Sequence, residues 1–225
     1  MIPLYNEAAG VVGVVEGLLA ALAPLEFELI LVDNGSTDAT PSLVDALAAQ
    51  HPRIKVIHLT PNRGYGGGIL AGMAITRGEV IGYMWGDAQI SPGDVPHLYD
   101  HLVVKGLDMC KAHRRVRLDG WQRKLQTRVY HQIFPLFGPC VSQDLHGGPR
   151  FFKRDVWKKL EVVSQDWFID VETLLKMEHL GLRWGEVDVV FYPRRRGYSK
   201  VRLSTVGEFL ANLWRMKMGR HPAFK

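Results

Sequence analysis

The sequence predicts one α/β domain built on a mostly parallel sheet flanked by helices, and three observations carry that prediction. Short apolar runs alternate with amphipathic segments through the first half of the chain. The segments between runs are long enough for helices that cross over between parallel strands. Polar or glycine-rich clusters follow three of the runs, at Asp33-Asn-Gly-Ser-Thr-Asp38, Asn62-Arg-Gly-Tyr-Gly-Gly-Gly68 and Trp85-Gly-Asp-Ala-Gln89. Open parallel sheets place their ligands there, at the carboxyl ends of strands.

Taken in order, residues 2–4 form a first strand, short against the usual five or six residues. It is either a stub or the visible part of a strand that starts upstream. Residues 7–23 set Val11, Val14, Val15, Leu18 and Leu19 on one helical face. Residues 27–32 are a buried strand ending at Asp33. Thr40-Pro41 reads as N-cap and N1 proline of a helix running to Gln50. Strand 54–59, helix 66–74, strand 80–84, helix 92–105 and strand 109–112 follow. Beyond residue 112 the alternation weakens. A helix over 121–135 bears arginines, 144–149 is a loop and 150–153 a short strand. Helix 171–180, strand 184–190 and an amphipathic helix over 205–218 complete the chain. No repeat, linker or low-complexity tract divides it.

Composition narrows the class. A chain of 225 residues, 47% hydrophobic and 23% charged, is globular and not disordered. No apolar run approaches the ~18–20 residues that span a bilayer, and the opening residues lack the pattern of a signal peptide. Cys110 and Cys140 suit a reduced compartment and suggest no disulfide framework, so a cytoplasmic location is expected. The net charge of +5 is uneven. Lys111, Arg114, Arg115, Arg117, Arg123, Lys124 and Arg128 lie close together, and Arg194-Arg-Arg196, Lys200 and Arg202 follow later. Such clusters call for an anionic partner: nucleotide, lipid phosphate, membrane surface or nucleic acid. No nucleic-acid reader motif accompanies the arginines, so that partner is not expected.

The glycine-rich segment puts four glycines in five positions at the mouth of a helix, where a backbone can approach an anion closely. It is not a P-loop, because no Gly-Lys-Ser/Thr follows. Its Gly66, Gly68 and Ala71 match a dinucleotide pattern, but they follow the third strand and not the first. Asp87 and Gln89, separated by Ala88, can both reach one ion, and their hard oxygens favour Mg²⁺ or Mn²⁺ over zinc. Alone, that triplet reads better as loop residues capping Ser91-Pro92. The 33–38 segment is a turn and cap, or else presents Asp33 to a base or ribose. His97 and His101 are four apart but lack the intervening glutamate and a third ligand, and read as surface residues. Arginines near Gly120, Gly147, Gly148, Gly197 and Ser199 suggest guanidinium forks fixed for phosphate capture.

In this order the motifs resemble the inverting GT-A glycosyltransferases of the polyprenyl-phosphate type, the group of dolichyl-phosphate mannose synthase and dolichyl-phosphate glucosyltransferase. Ile2-Pro-Leu-Tyr-Asn-Glu7 looks like the opening I-P-x-Y-N-E, and 33–40 is similar to D-D-G-S-x-D-x-T. Residues 62–68 look like N-x-G-x-G-G-A, and 194–200 match R-x-x-G-x-S-K. The resemblance spans nearly the whole chain. It implies a GT-A fold, with residues 1–112 as a nucleotide-sugar-binding half and 113–225 as an acceptor-side half. It implies transfer of a sugar, with inversion, from a nucleotide diphosphate to a polyprenyl phosphate, assisted by Mg²⁺ or Mn²⁺. Pro3, Tyr5, Glu7 and Asp33 would contact the nucleoside, Gly66 would stand in the donor's glycine loop, and Asp87 with Gln89 would hold the metal. Arg114, Arg123, Arg150, Arg194, Ser199 and Lys200 would hold phosphates, with Asp87, Arg123 and Arg150 closest to the chemistry.

Three positions depart from the pattern. Trp85 replaces the first aspartate of D-x-D-x-Q, Asn34 the second of D-D-G-S, and Pro149 the aromatic of D-x-x-x-G-F-R. A polyprenyl phosphate is already ionised and needs no general base, so cations and positioning should dominate. A hydroxyl acceptor would need one, for which Asp144 or Asp170 are candidates. A non-catalytic protein that binds sugar nucleotides or anionic lipid is the alternative outside enzymes. The 205–218 segment aligns Val206, Phe209, Leu210, Leu213 and Trp214, followed by Arg215, Lys217 and Arg220. It packs on the core or lies at the inner face of a membrane, holding the protein there peripherally.

Overall fold

The computed structural model describes residues 1–117, 142, 144–193 and 203–224. Three parallel strands form one side of the sheet: β1 (Ile2–Leu4), β2 (Leu29–Asp33) and β3 (Ile54–His58), in the order β1-β2-β3. Four more form the other side: β4 (Val80–Tyr83), β5 (Met109–Arg117), β6 (Arg150–Lys153) and β7 (Trp184–Phe191), in the order β4-β6-β5-β7. Two backbone bonds join the sides, from Met1 N to Gly82 O (2.6 Å) and from Met84 N to Met1 O (3.1 Å). One residue bonding to positions two apart on its neighbour is the pattern of parallel strands, so β4 continues the sheet beside β1. The departure from parallel is β6, which runs against both β4 and β5.

The helices are α1 (Val11–Ala21), α2 (Thr40–Gln50), α3 (Gly64–Ala74), α4 (Asp94–Lys105), α5 (Arg154–Leu160), α6 (Ile169–His179) and α7 (Leu203–Lys217). Several differ from the sequence expectation for physical reasons. Helix α1 begins four residues late because Gly10 N and Val11 N turn back onto Glu7 O. Thr40 is the first residue of α2 and not its cap; its buried Oγ1 accepts from Glu7 N (2.9 Å). Strand β5 runs past Ala112 to Arg117 by pairing with β7 across an irregularity at 113–116. Helix α5 was not expected, its short amphipathic turn being hidden directly behind a strand. The expected helix over 121–135 lies outside the described residues.

Helices α1 and α2 bury Val11, Val14, Val15, Leu18, Val44 and Leu47 against β1 and β2. A second core joins Ile69 and Met73 of α3 to Tyr83, Phe152, Trp157, Ile169 and Leu174, and includes Leu213 of α7. Each such side chain contributes ~1.5–3 kcal/mol when fully buried. Together they fix the strand ends from which the site is built.

Candidate active site

Register aligns three strand ends. Leu4 pairs with Asp33, and Asp33 with His58, so the loops leaving β1, β2 and β3 emerge side by side. Side chains then tie these loops together. Asn6 sits in the left-handed region (φ 52°). Its backbone N–H donates to Ser36 Oγ (3.0 Å), and its Oδ1 accepts from Thr37 N (2.7 Å). Ala8 N and Thr40 N donate to the two oxygens of Asp38 (3.2 and 2.9 Å). The buried Asn34 bridges to the third loop, accepting from Arg63 N (2.9 Å) and donating to Gly64 O (2.8 Å). Asp33, also buried, accepts from Ser36 N (3.0 Å) through Oδ1 and meets His58 Nδ1 (3.0 Å) through Oδ2.

An open cleft of about 770 Å³ lies at the carboxyl ends of β1, β4 and β7. Its wall includes Glu7 and Gly10 from the entry to α1, Asp87 and Ala88 from the turn after β4, and Tyr192 after β7. A Cβ at Gly86 would lie 2.4 Å from Leu4 Cδ2, so a side chain there would displace the buried Leu4. Ala88 takes the left-handed conformation (φ 57°), and Asp87 Oδ1 accepts from Gln89 N (3.2 Å). Gln89 is buried. Its Nε2 donates to Tyr192 O, and Tyr192 N donates to its backbone carbonyl, both at 2.9 Å. Its amide oxygen is the remaining hard acceptor. Gln89, Pro3, Tyr5 and Asp33 stand outside this wall; Gln89 N bonds to Asp87 of the wall, and Asp33 reaches it through Ser36 and Asn6.

Gly66 does not line an open anion cradle. An added Cβ would meet Ser164 O at 2.4 Å, and Gly67 N already donates to Gln165 O (3.0 Å). The 164–166 backbone therefore covers the start of α3. Trp85 replaces a carboxylate with an aromatic junction. Its Nε1 donates to Tyr65 Oη (2.8 Å), and Tyr65 stacks on Trp167 at 4.1 Å. Burial pushes the Tyr65 hydroxyl well above its ordinary pKa, so it stays protonated.

The arginines correct the sequence reading most sharply. Arg114 was expected to grip phosphate, yet its fork is closed on Asp144, with Nε to Oδ2 at 2.8 Å and Nη2 to Oδ1 at 2.5 Å. Its guanidinium also lies over the rings of Trp85 (5.4 Å) and Phe191 (5.0 Å). Arg150 is fully buried. It donates to the carbonyls of Gly147 (2.9 Å), Asp170 (2.6 Å) and Leu145, and to Thr173 Oγ1 (2.7 Å), with the Asp170 carboxylate at 3.6 Å. It holds the 144–149 loop against α6 and presents no face to a substrate. Burial acts to raise the Asp144 carboxyl, but Arg114 and Lys111 prevail and hold it well below the usual carboxylate range. Burial opposes Asp170 likewise, and Arg150, His146 and Tyr83 hold it low. Arg123, Arg194, Ser199 and Lys200 lie outside the described residues.

Of four further participants, sequence reasoning missed Glu186, Ser142 and His58, and it counted Lys111 only in a basic cluster awaiting an anionic partner. Buried Lys111 bonds Asp144 O (2.6 Å) and Glu186 (2.7 Å), and Ser142 Oγ donates to the same glutamate (2.7 Å). A lysine inside an apolar strand was the available signal. His58 was the fourth, visible only as a polar residue closing a parallel strand.

Comparison with known proteins identifies the family and the fold. The model of glycosyl transferase family 2 matches residues 1–161. The dodecaprenyl-phosphate galacturonate synthase of Rhizobium johnstonii is 28% identical over 95% of this chain and 64% of its own length. The undecaprenyl-phosphate mannosyltransferase of Micrococcus luteus is 29% identical over 96% of this chain and 91% of its own. The dolichol-phosphate mannosyltransferase of Pyrococcus furiosus is 26% identical over 96% of this chain. The chain spans 64% and 62% of the Rhizobium and Pyrococcus relatives. Among solved structures, glucosyl-3-phosphoglycerate synthase from Mycobacterium tuberculosis, in complex with Mn²⁺, UDP-glucose and phosphoglyceric acid, superposes with a TM-score of 0.67. It is 22% identical and covers 97% of this chain and 77% of its own, which supports the expected GT-A fold. With strand order, motif loops and family match in agreement, the chain belongs to glycosyl transferase family 2.

Proposed function

We propose that this chain transfers a sugar, with inversion, from a nucleotide diphosphate to a polyprenyl phosphate. The observation that carries the reading is the state of the two carboxylates that were candidates for a general base. Asp144 and Asp170 are buried and ion-paired, and their affinity for protons is lowered. Carboxylates so held are poor general bases. A hydroxyl acceptor would need a base, the role for which these two were candidates, whereas a phosphate acceptor arrives ionised. The names of the Rhizobium, Micrococcus and Pyrococcus relatives point to the same acceptor class.

Donor binding falls to the strand ends. Asp33 accepts hydrogen bonds from base or ribose, with Pro3, Tyr5 and Glu7 beside it. Asp87 and Gln89 offer one carboxylate and one amide oxygen, a hard donor set that fits Mg²⁺ or Mn²⁺. Among the described residues no three His, Cys, Asp or Glu side chains gather as a metal cage. The ion would therefore complete its shell with water and diphosphate oxygens. When bound, it neutralises charge on the departing diphosphate. Acceptor phosphate falls to Arg123, Arg194, Ser199 and Lys200, since Arg114 and Arg150 are occupied within the protein.

Helix α7 supports a peripheral membrane position. Leu213 is buried, while Leu210, Trp214 and Met218 are exposed at four-residue spacing near Arg215, Lys217 and Arg220. No described helix is long and apolar enough to cross a membrane.

The test is incubation with radiolabelled sugar nucleotides, polyprenyl phosphate and Mn²⁺. Label should enter the organic phase only when the lipid phosphate is present. Label found solely on hydroxyl acceptors, or nucleotide bound without transfer, overturns the reading.

A further inference from the structure

His58 closes β3 in register with Asp33 at the end of β2. Its ring stands between two carboxylates, Nδ1 at 3.0 Å from Asp33 Oδ2 and Nε2 at 3.0 Å from Asp45 Oδ1. A neutral imidazole carries one N–H and one lone pair. Whichever tautomer it takes, one nitrogen would then aim a lone pair at a carboxylate oxygen. Only the imidazolium donates to both.

We propose that His58 is a positioning residue for Asp33, held as an imidazolium between Asp33 and Asp45, so that nucleoside-diphosphate binding weakens as His58 loses its proton. The inference rests on the reading of Asp33 as a nucleoside contact. Asp33 is buried, and its carboxylate is fixed from two sides, by Ser36 N through one oxygen and by His58 through the other. Removing the ring contact lets the carboxylate rotate away from the hydrogen-bonding direction a base or ribose requires.

The charged groups facing the ring are Asp33 from β2 and Asp45 from α2. On β3 itself, Lys55 is paired with Glu28 at 2.6 Å. The two carboxylates raise the histidine's proton affinity above its ordinary value, chiefly through the Asp33 and then the Asp45 hydrogen bond, against a smaller opposing effect of burial. With a raised pKa, the contact is complete below the ordinary histidine range and is lost as pH climbs through the higher folded value. His58 and Asp45 are 41% and 61% exposed, so solvent screens the pair and the effect is a few-fold.

The experiment is calorimetric titration of the protein with UDP and with GDP, from about pH 5.5 to 8.5. Wild type is compared with H58Q, D45N and D33N. For whichever nucleotide binds, the wild-type Kd should rise about three- to fivefold across the range beyond that of H58Q. The nucleotide's own phosphate titrates in this window, and H58Q, which has no titrating ring, isolates the protein's share. D45N should keep wild-type affinity at low pH and move the step to lower pH, a shift that a merely structural histidine would not produce. If D33N weakens binding while H58Q and D45N follow the wild-type profile, the role of His58 is overturned and the nucleoside reading stands. If D33N binds as wild type does, or neither nucleotide binds, the nucleoside reading fails and takes this inference with it.

Discussion

Around the ends of β1, β2 and β3, loops are joined mainly by backbone amides, hydroxyls and the Asn34 amide, and the β1 loop borders an open cleft. Around β5 and β6, loops are joined by buried charge: Lys111 with Glu186, Arg114 with Asp144, and Arg150 with Asp170. Both regions carry residues that look like ligand contacts in the sequence. In the first, polar side chains organise the loops and set Glu7 in the wall of the cleft, together with Asp87 from the turn after β4. In the second, the charged side chains are themselves the scaffold. An arginine in a motif-like place is therefore not a phosphate hook when the fold delivers it a carboxylate.

This contrast is easiest to break at Arg150. If it is scaffold, Arg150→Met strands the buried Asp170 charge and should cost about 3–5 kcal/mol, lowering Tm by roughly 10 °C in a domain of this size. A normal melting curve with weakened acceptor use would return Arg150 to the substrate. On the open side, Asp87→Asn should lower turnover by about 100-fold or more while leaving Tm unchanged, since it removes the carboxylate assigned to the ion. Full activity of that variant, or of wild type in chelator, would end the assignment. The comparison sharpens at the arginines that lie outside the described residues. Arg123→Ala and Arg194→Ala should each weaken lipid-phosphate use by roughly 10–100-fold, the scale of one charge-assisted hydrogen bond. Donor affinity measured by calorimetry should survive Arg123→Ala; its collapse would move that residue to the diphosphate. The smallest effect belongs to α7, where each basic residue adds ~1 kcal/mol of attraction to an anionic surface. Trp214→Ala and Lys217→Gln should each lower binding to anionic liposomes a few-fold at low salt. Indifference to both would leave the helix with its core role alone.

The sheet and most helices were legible because their apolar periodicity is local. Val14, Leu18 and Leu29 through Val32 announce their faces within a few residues. Helix α5 was hidden because seven residues directly after a strand give too short a period to recognise. The order of the motif loops was legible from their turn residues, whereas the function of particular atoms was not. Gly66 reads as room for an anion until the 164–166 backbone, a hundred residues away, is found against it. Arg114 meets its carboxylate 30 residues on, and Arg150 meets the carbonyl of Asp170 20 residues on. Spacing along the chain carries no trace of either pairing. Nor did it mark His58, whose partners come from a neighbouring strand and a helix.

Asn34 carries a lesson for engineering toward a family average. The resemblance would recommend aspartate there, and consensus substitutions commonly stabilise natural proteins. In this chain the amide works as both acceptor and donor, to Arg63 N and Gly64 O. A carboxylate could keep the first bond but would set a negative oxygen against the Gly64 carbonyl in a buried place, with no proton to share. The locally correct letter is the one that differs from the average, so a consensus design on this scaffold should leave position 34 alone.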